Sequence, residues 1–225
     1  MPRVKGEGGV GSPLGPADIE RIREAVRRAE RAISGEIVPC VVLHSDSYPE
    51  AAWMAGAAAA LLACLALFLL DLRSPLWQPL GELILWVPAA GLLGGFLGGR
   101  LPPLRRWLVG RERLSEAVHR RAREAFTRHE VFRTKERTGV LLFVSLFERL
   151  VVVVGDSGIN AKVRQEDWDE AVSCVLKGGR EDRLADGIVA AVAHCHDLLL
   201  KAGFKASAGD VNELPDKPRL GEQGS

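Results

Sequence analysis

Cysteine is scarce in this sequence, and its four copies are scattered. They stand at positions 40, 64, 174 and 195 of 225 residues, without a Cys-x-x-Cys pair. This spacing predicts neither a disulfide framework nor a zinc knuckle, and it is consistent with a reducing compartment. Walker A, Gly-x-Ser-x-Gly and His-Glu-x-x-His motifs are also missing, so the enzyme classes that carry them are not indicated.

A strong net charge is missing as well. Thirty basic and 29 acidic side chains leave a formal charge of +1. Proteins that bind nucleic acid present a basic face to the phosphates, so this balance argues against a nucleic-acid partner.

Two stretches lack charge altogether: residues 51–70, where Cys64 is the only ionisable side chain, and residues 83–99. Twenty residues of helix extend about 30 Å, the hydrocarbon thickness of a bilayer, and seventeen residues stand at the short end of the spanning range. We therefore predict a two-helix transmembrane hairpin, residues 51–99, that uses the lipid bilayer as its partner. The alternative is that one or both stretches are buried core helices.

Arginine predicts how this hairpin is oriented. The linker between the two stretches holds only Arg73, whereas five arginines follow the second stretch: Arg100, Arg105, Arg106, Arg111 and Arg113. Cytoplasmic flanks are rich in Lys and Arg, so both termini are expected in the cytoplasm and the protein in the inner (cytoplasmic) membrane as a multi-pass chain. Insertion is expected to use the hairpin, because residues 1–15 lack the apolar core of a signal peptide. Glycines four apart in residues 91–99 favour close helix packing and offer a surface for a homodimer.

The flanking segments read as two pieces of one α/β domain. Residues 16–35 show helical apolar spacing, and residues 36–43 form an apolar run typical of a buried strand. Residues 138–145 and 149–156 predict two more strands joined by a tight turn, with helices before and after them, so we expect a small mixed sheet. We expect a flexible arm (1–13), a first domain part (14–50), the hairpin (helices 51–70 and 83–99), a second domain part (100–204) and a flexible tail (205–225).

Carboxylates near the last strand form a candidate metal site. Asp156 leaves the strand, and Asp182 and Asp186 are one helical turn apart. Carboxylates at a strand end can hold Ca²⁺ or Mg²⁺. The alternative is that Asp156 makes an Asx-turn and Asp182 caps a helix. If the last strand ran parallel to the first, Asp156 would lie near Ser45 and Asp46 on the membrane-facing side.

Three phrases resemble the TPM domain family, also described as TPM phosphatase-like: GEIVPCVVLHSDSYPEAAW, TGVLLFVSLFERLVVVVGDSGIN and REDRLADGIVAAV. NELPDKP near the end is similar to the tail of a membrane-inserted bacterial subgroup. The resemblance implies an α/β/α sandwich that in some members binds divalent cations, and it carries Asp156 and Asp186 as the residues to examine.

The resemblance also implies two competing functions. One is a cytoplasm-facing interaction module that supports the maintenance or assembly of membrane complexes through a membrane-protein partner. The other is a metal-assisted phosphatase, in which Asp156 and Asp186 hold the cation and Arg149 or Arg183 contacts the phosphate. We favour the module, because no nucleophile or histidine pair is recognisable in the sequence.

Overall fold

The computed structural model describes residues 14–73, 80–206 and 218–220. Its elements, in chain order, are α1 (Pro16–Glu30), β1 (Glu36–Val42), α2 (Pro49–Arg73), α3 (Leu80–Arg100), α4 (Pro102–Val109), α5 (Arg111–Arg128), β2 (Gly139–Ser145), β3 (Leu150–Gly155), α6 (Ser157–Asn160), a 3-10 turn (Gln165–Trp168), α7 (Asp169–Arg180), α8 (Leu184–Lys201) and β4 (Arg219–Leu220). The predicted arm, 1–13, and most of the predicted tail lie outside the described residues.

The chain divides into two compact units. We call Met1–Ser45 together with Ala117–Ser225 the α/β unit, and Asp46–Glu116 the hairpin unit. The predicted hairpin, residues 51–99, lies within the second of these units.

The α/β unit contains a small mixed sheet with the strand order β3-β2-β1-β4. β1 and β2 pair in parallel, from Glu36 opposite Gly139 to Val42 opposite Ser145. β2 and β3 pair antiparallel, so the predicted tight turn is confirmed. Residues 219–220 were assigned to the flexible tail, but in the structure they form β4, parallel to β1 at Cys40 and Val41.

Helices cover both faces of this sheet. Successive side chains of β2 point to opposite faces, and each set packs against helices. Val140 and Leu142 join one buried cluster with apolar residues of α1, α7 and α8. Leu141 and Phe143 join a second cluster with apolar residues of α5. All seven residues of β2 are buried, as its unbroken apolar run predicted, and the α/β class with a small mixed sheet is confirmed.

Local sequence explains where two elements begin. Pro16 occupies the first turn of α1, and the Asp18 carboxylate accepts a hydrogen bond from the Gly15 N–H at 3.1 Å. β2 begins at Gly139, where a Cβ would stand 2.0 Å from the Val131 carbonyl oxygen. Position 139 therefore accepts only glycine.

The hairpin unit contains two long helices where two were predicted. The observed bounds, Pro49–Arg73 and Leu80–Arg100, extend each prediction by a few residues, and Pro88 lies inside the second helix. Within the described residues, one helix, Pro49–Arg73, is long and apolar enough to cross a membrane, whereas the sequence analysis expected two such helices. The second span stays a prediction.

Candidate functional site

Exposed apolar side chains mark one segment of the molecule. The large hydrophobic residues that are exposed in the described chain all fall between Trp53 and Trp107, within the hairpin unit. Trp53 at the start of α2 is 81% exposed, and Trp107 in α4 is 77% exposed. A soluble domain rarely exposes so large an apolar surface, and where it occurs it marks a site for a membrane or another protein.

Small residues line the contact between α2 and α3. A Cβ on Gly94 would stand 2.4 Å from the Cβ of Ala59, and a Cβ on Gly98 would stand 2.2 Å from the Cβ of Ala55. The two helices therefore pack antiparallel with their backbones close together, as membrane helices with small interfacial residues do. These glycines serve the contact within the hairpin, whereas the sequence analysis also considered them for a homodimer.

A tyrosine surrounded by charge stands where the chain enters α2. Tyr48 is buried and has a positive φ of 45°, and the guanidinium carbons of Arg105 and Arg113 lie 5.6 and 5.7 Å from its ring centroid. Arg113 also donates a hydrogen bond to Asp46 at 2.9 Å and lies 3.5 Å from Glu50. The hydrogen bond to Asp46 raises the pKa of Arg113, so this residue stays a cation. The cluster ties both chain ends of the hairpin together by cation–π and ionic contacts.

A short amphipathic helix follows α3. α4 begins with Pro102 and Pro103, and it carries two arginines together with the exposed Trp107. Indole and arginine side chains place an apolar body beside a polar tip, which suits the boundary between lipid tails and water.

Asp156, the first predicted metal ligand, is buried and already engaged. Its carboxylate accepts a hydrogen bond from the Ser157 N–H at 2.6 Å, at the N-cap of α6, and lies 3.0 Å from Nε of Arg137. Its backbone carbonyl accepts the Asn160 N–H, and its own N–H donates to the Gly139 carbonyl. The structure therefore makes Asp156 the N-cap residue of α6, whereas the alternative predicted for it was an Asx-turn and capping was predicted for Asp182.

The other predicted ligands have different partners. Asp186 pairs with Arg21 of α1, and Arg183 pairs with Glu181. Asp182 has a φ of 55° in the turn between α7 and α8, where it stands before the N-cap residue Arg183. In the chain as described, no group of three or more His, Cys, Asp or Glu side chains is placed to hold a metal ion.

The antiparallel direction of β3 corrects the position expected for Asp156. Gly155 pairs with Val140, at the start of β2, whereas Ser145 at its end pairs with Leu150. β3 therefore does not run parallel to β1, Asp156 lies at the opposite end of the sheet from Ser45, and the hypothesis that placed Asp156 near Ser45 is wrong. Arg149, which precedes β3, is separated from Asp156 by the length of that strand, about 20 Å. These two residues cannot act on one phosphate.

A polar cluster that sequence reasoning missed lies at the carboxyl ends of β1 and β2. The Ser45 and Ser145 hydroxyls are 2.7 Å apart, and the Ser145 hydroxyl donates to the Glu148 carboxylate. The Ser45 N–H donates to the same carboxylate at 2.8 Å. Glu148 is buried, so these bonds stabilise its charge and fix the β2–β3 turn against the end of β1. A lone glutamate in a tight turn after an apolar strand was the available signal.

A thiol and an imidazole meet on the α5 face of the sheet. Sγ of Cys40 lies 3.9 Å from Nε2 of His129. Burial raises the pKa of Cys40 to about 11, and burial also lowers the pKa of His129, with a smaller contribution from Arg219 and Arg128. A thiol with so high a pKa is protonated at neutral pH and is a poor nucleophile.

Comparison with known proteins identifies a shared fold. No family model matches this chain, and no curated protein matches it. Among solved structures it is similar to the NMR structure of the BA42 protein from the psychrophilic bacterium Bizionia argentinensis, with a TM-score of 0.58 and 19% identity. The likeness covers 94% of this chain and 98% of that one. At this identity it establishes a shared fold.

Proposed function

We propose that this chain is a membrane-anchored, TPM-like interaction module. In this proposal the hairpin unit crosses the inner membrane twice, and the α/β unit faces the cytoplasm and supports the maintenance or assembly of membrane complexes. The observation that carries the proposal is the confinement of exposed large hydrophobic side chains to residues between Trp53 and Trp107. A bilayer is the solvent in which that surface is stable.

Charge supports the orientation. Arg100, Arg105, Arg106, Arg111 and Arg113 follow α3, whereas Arg73 is the single basic residue between the end of α2 and the start of α3. Short loops on the cytoplasmic side of a membrane carry an excess of arginine and lysine. A cytoplasmic location of both termini follows from this bias.

The partners of the predicted metal ligands and the position of Arg149 favour an interaction role over the phosphatase alternative. Asp156 is committed to Arg137 and the cap of α6, Asp186 to Arg21, and Arg149 lies at the other end of β3. Phosphoryl transfer depends on charged groups that converge on one phosphate. Asp156 and Arg149, at opposite ends of one strand, do not meet this condition.

Membrane insertion and orientation can be tested on the full chain. We expect the protein to stay in the membrane fraction after alkaline carbonate extraction, and Leu62→Arg in the middle of α2 to release it, with Leu62→Phe as the matched apolar control. A Lys201→Cys variant in a Cys64→Ala background is expected to react with an impermeant maleimide in inverted vesicles and to be protected in intact cells. The reverse labelling pattern would overturn the orientation, and complete carbonate extraction would overturn the anchor.

The two functional alternatives separate in a hydrolysis assay. Phosphomonoester turnover by the purified protein is measured with calcium, magnesium, manganese or chelator, beside an Asp156→Asn, Asp186→Asn double variant. We expect no metal-dependent turnover, and we expect in-membrane crosslinking through the α/β unit to capture a membrane protein. Turnover that needs metal and is lost in the folded double variant would replace the interaction module by the enzyme.

A further inference from the structure

One face of the α2–α3 contact opens into an apolar groove. Its volume is about 680 Å³. Gly56 and Gly91 form its floor, where a Cβ on Gly56 would stand 2.9 Å from the Gly91 carbonyl oxygen, so the floor is backbone rather than side chain. Trp53 and Phe96 stand at one end of the groove, and Ala60 and Pro88 stand at the other.

The groove has the length of part of one lipid chain. From the level of Trp53 to that of Ala60 is seven residues of helix, or about 10 Å. The hydrocarbon layer is about 30 Å thick, so one leaflet accounts for about 15 Å. The groove therefore lies in one leaflet, in the part of it nearest the headgroups, on the side where the chain enters α2.

A cation stands at the Trp53 end of this groove. The guanidinium carbon of Arg100, the last residue of α3, lies 4.5 Å from the ring centroid of Phe96, which itself lines the groove. Arg100 is exposed, and within the described residues no carboxylate pairs with it. A guanidinium is a strong and geometrically specific partner for phosphate. An apolar groove that ends at a guanidinium complements a phospholipid. The acyl chain would lie in the groove and the phosphate would contact the guanidinium.

We propose that this groove binds one anionic phospholipid, with an acyl chain along Gly56 and Gly91 and the phosphate on Arg100. The proposal rests on the membrane anchoring proposed above. A transmembrane helix of a second copy is the competing occupant. The phospholipid is favoured because Arg100 supplies charge complementarity at the depth of the headgroups, whereas an apolar helix would leave this cation without a counter-charge.

Native mass spectrometry of the full chain in detergent tests the assignment. Phosphatidylglycerol is titrated against phosphatidylcholine with the same acyl chains. Ala57→Phe fills the groove from an exposed position on its rim, and Ala58→Phe adds the same ring beside it on the same helix, outside the groove. Arg100→Gln removes the charge at the mouth, and Arg73→Gln removes a charge at the far end of α2.

We expect a saturable one-to-one adduct with phosphatidylglycerol. Arg100→Gln is expected to weaken it about tenfold or more, because a charge-assisted contact to phosphate is lost. Ala57→Phe is expected to abolish it, whereas Ala58→Phe and Arg73→Gln keep the wild-type affinity. Equal binding of both lipids, or an adduct that survives Ala57→Phe, would overturn the proposal.

The competing occupant has its own signature. Disulfide crosslinking of Ala57→Cys between two copies in the membrane, with no lipid adduct, would assign the groove to a second chain. Carbonate extraction separates the two levels of inference. A protein that stays in the membrane but binds no lipid specifically refutes the lipid site alone, whereas a protein that leaves the membrane refutes the anchor.

Discussion

Leu142 in β2 and Leu62 in α2 both belong to uncharged apolar runs, yet their exposures are 0% and 66%. In the α/β unit, apolar side chains point inwards and helices cover both faces of the sheet. In the hairpin unit, small residues fill the helix contact and the large apolar residues point outwards. The hydrophobic effect acts in both units, and the bilayer proposed above would account for the difference by giving the hairpin unit a second, apolar solvent.

The largest expected difference comes from one substitution made in both units. Leu142→Ala removes buried methyl groups and is expected to lower the free energy of unfolding by about 2–5 kcal/mol. Leu62→Ala, at an exposed position, is expected to change it by less than about 0.5 kcal/mol. Chemical denaturation of the detergent-solubilised protein, followed by circular dichroism, measures both. Equal losses would mean that α2 is a core helix of a soluble fold, and the comparison would fail.

A second pair of variants tests the packing inside the hairpin unit. Gly98→Ala would place a Cβ 2.2 Å from the Cβ of Ala55, whereas Gly99→Ala would place one at an ordinary 3.6 Å from the Cβ of Ala52. Overpacking costs about 1–3 kcal/mol, so Gly98→Ala is expected to lower the thermal stability of the hairpin and Gly99→Ala to leave it unchanged. Thermal unfolding in one detergent compares them. Equal stability of the two variants would show that α2 and α3 are not in close contact.

The apolar runs of the α/β unit carried most of its fold. Residues 36–43, 138–145 and 149–156 were predicted as strands, and the observed bounds differ from these by at most one residue at each end. Such runs are decisive because a strand covered on both faces has no polar alternation. Strand direction was not predictable for β3 relative to β1, since periodicity is the same in both directions. That missing fact decided where Asp156 lies.

The candidate site was less accessible to sequence reasoning. Asp156 follows β3 whereas Asp182 and Asp186 lie on either side of the start of α8, and the partners Arg137 and Arg21 come from other segments of the chain. The groove of the hairpin unit depends on the rotation of α3 against α2, which glycine spacing leaves open. The glycines of residues 91–99 signalled close packing, while the packed partner, Ala55, became visible only in the structure.

Asp156 and Asp186 offer a smaller contrast within the α/β unit. Asp156→Asn weakens an ion pair between a buried carboxylate and a half-exposed arginine, together with a helix cap, and we expect it to lower the free energy of unfolding by about 1–2 kcal/mol. Asp186→Asn acts on an exposed pair with Arg21 and is expected to cost less than about 0.5 kcal/mol. Denaturation with and without added calcium measures both. Stabilisation of the wild type by calcium that Asp156→Asn abolishes would restore the metal site.

The smallest expected effect is a pH dependence confined to the α/β unit. All five histidines lie outside Asp46–Glu116, so imidazole titration cannot act within the hairpin unit. Burial, followed by Arg219 and Arg128, lowers the pKa of His129 from its usual 6.5, so the unfolded chain binds this proton more readily than the folded one. The stability that comes with a neutral His129 is therefore present above about pH 6.5 and declines as the pH falls through 6.5 towards the lower folded value.

His129→Gln is expected to remove this slope. Unfolding of wild type and variant is measured between pH 8 and pH 5 at constant ionic strength, with the α/β unit followed through the buried Trp168. Because the His129 ring is only partly buried, the difference should be smaller than that caused by Asp156→Asn. Parallel curves for the two proteins would show that His129 is as well solvated in the folded state as in the unfolded chain. The buried core would then include Cys40 but not the His129 ring.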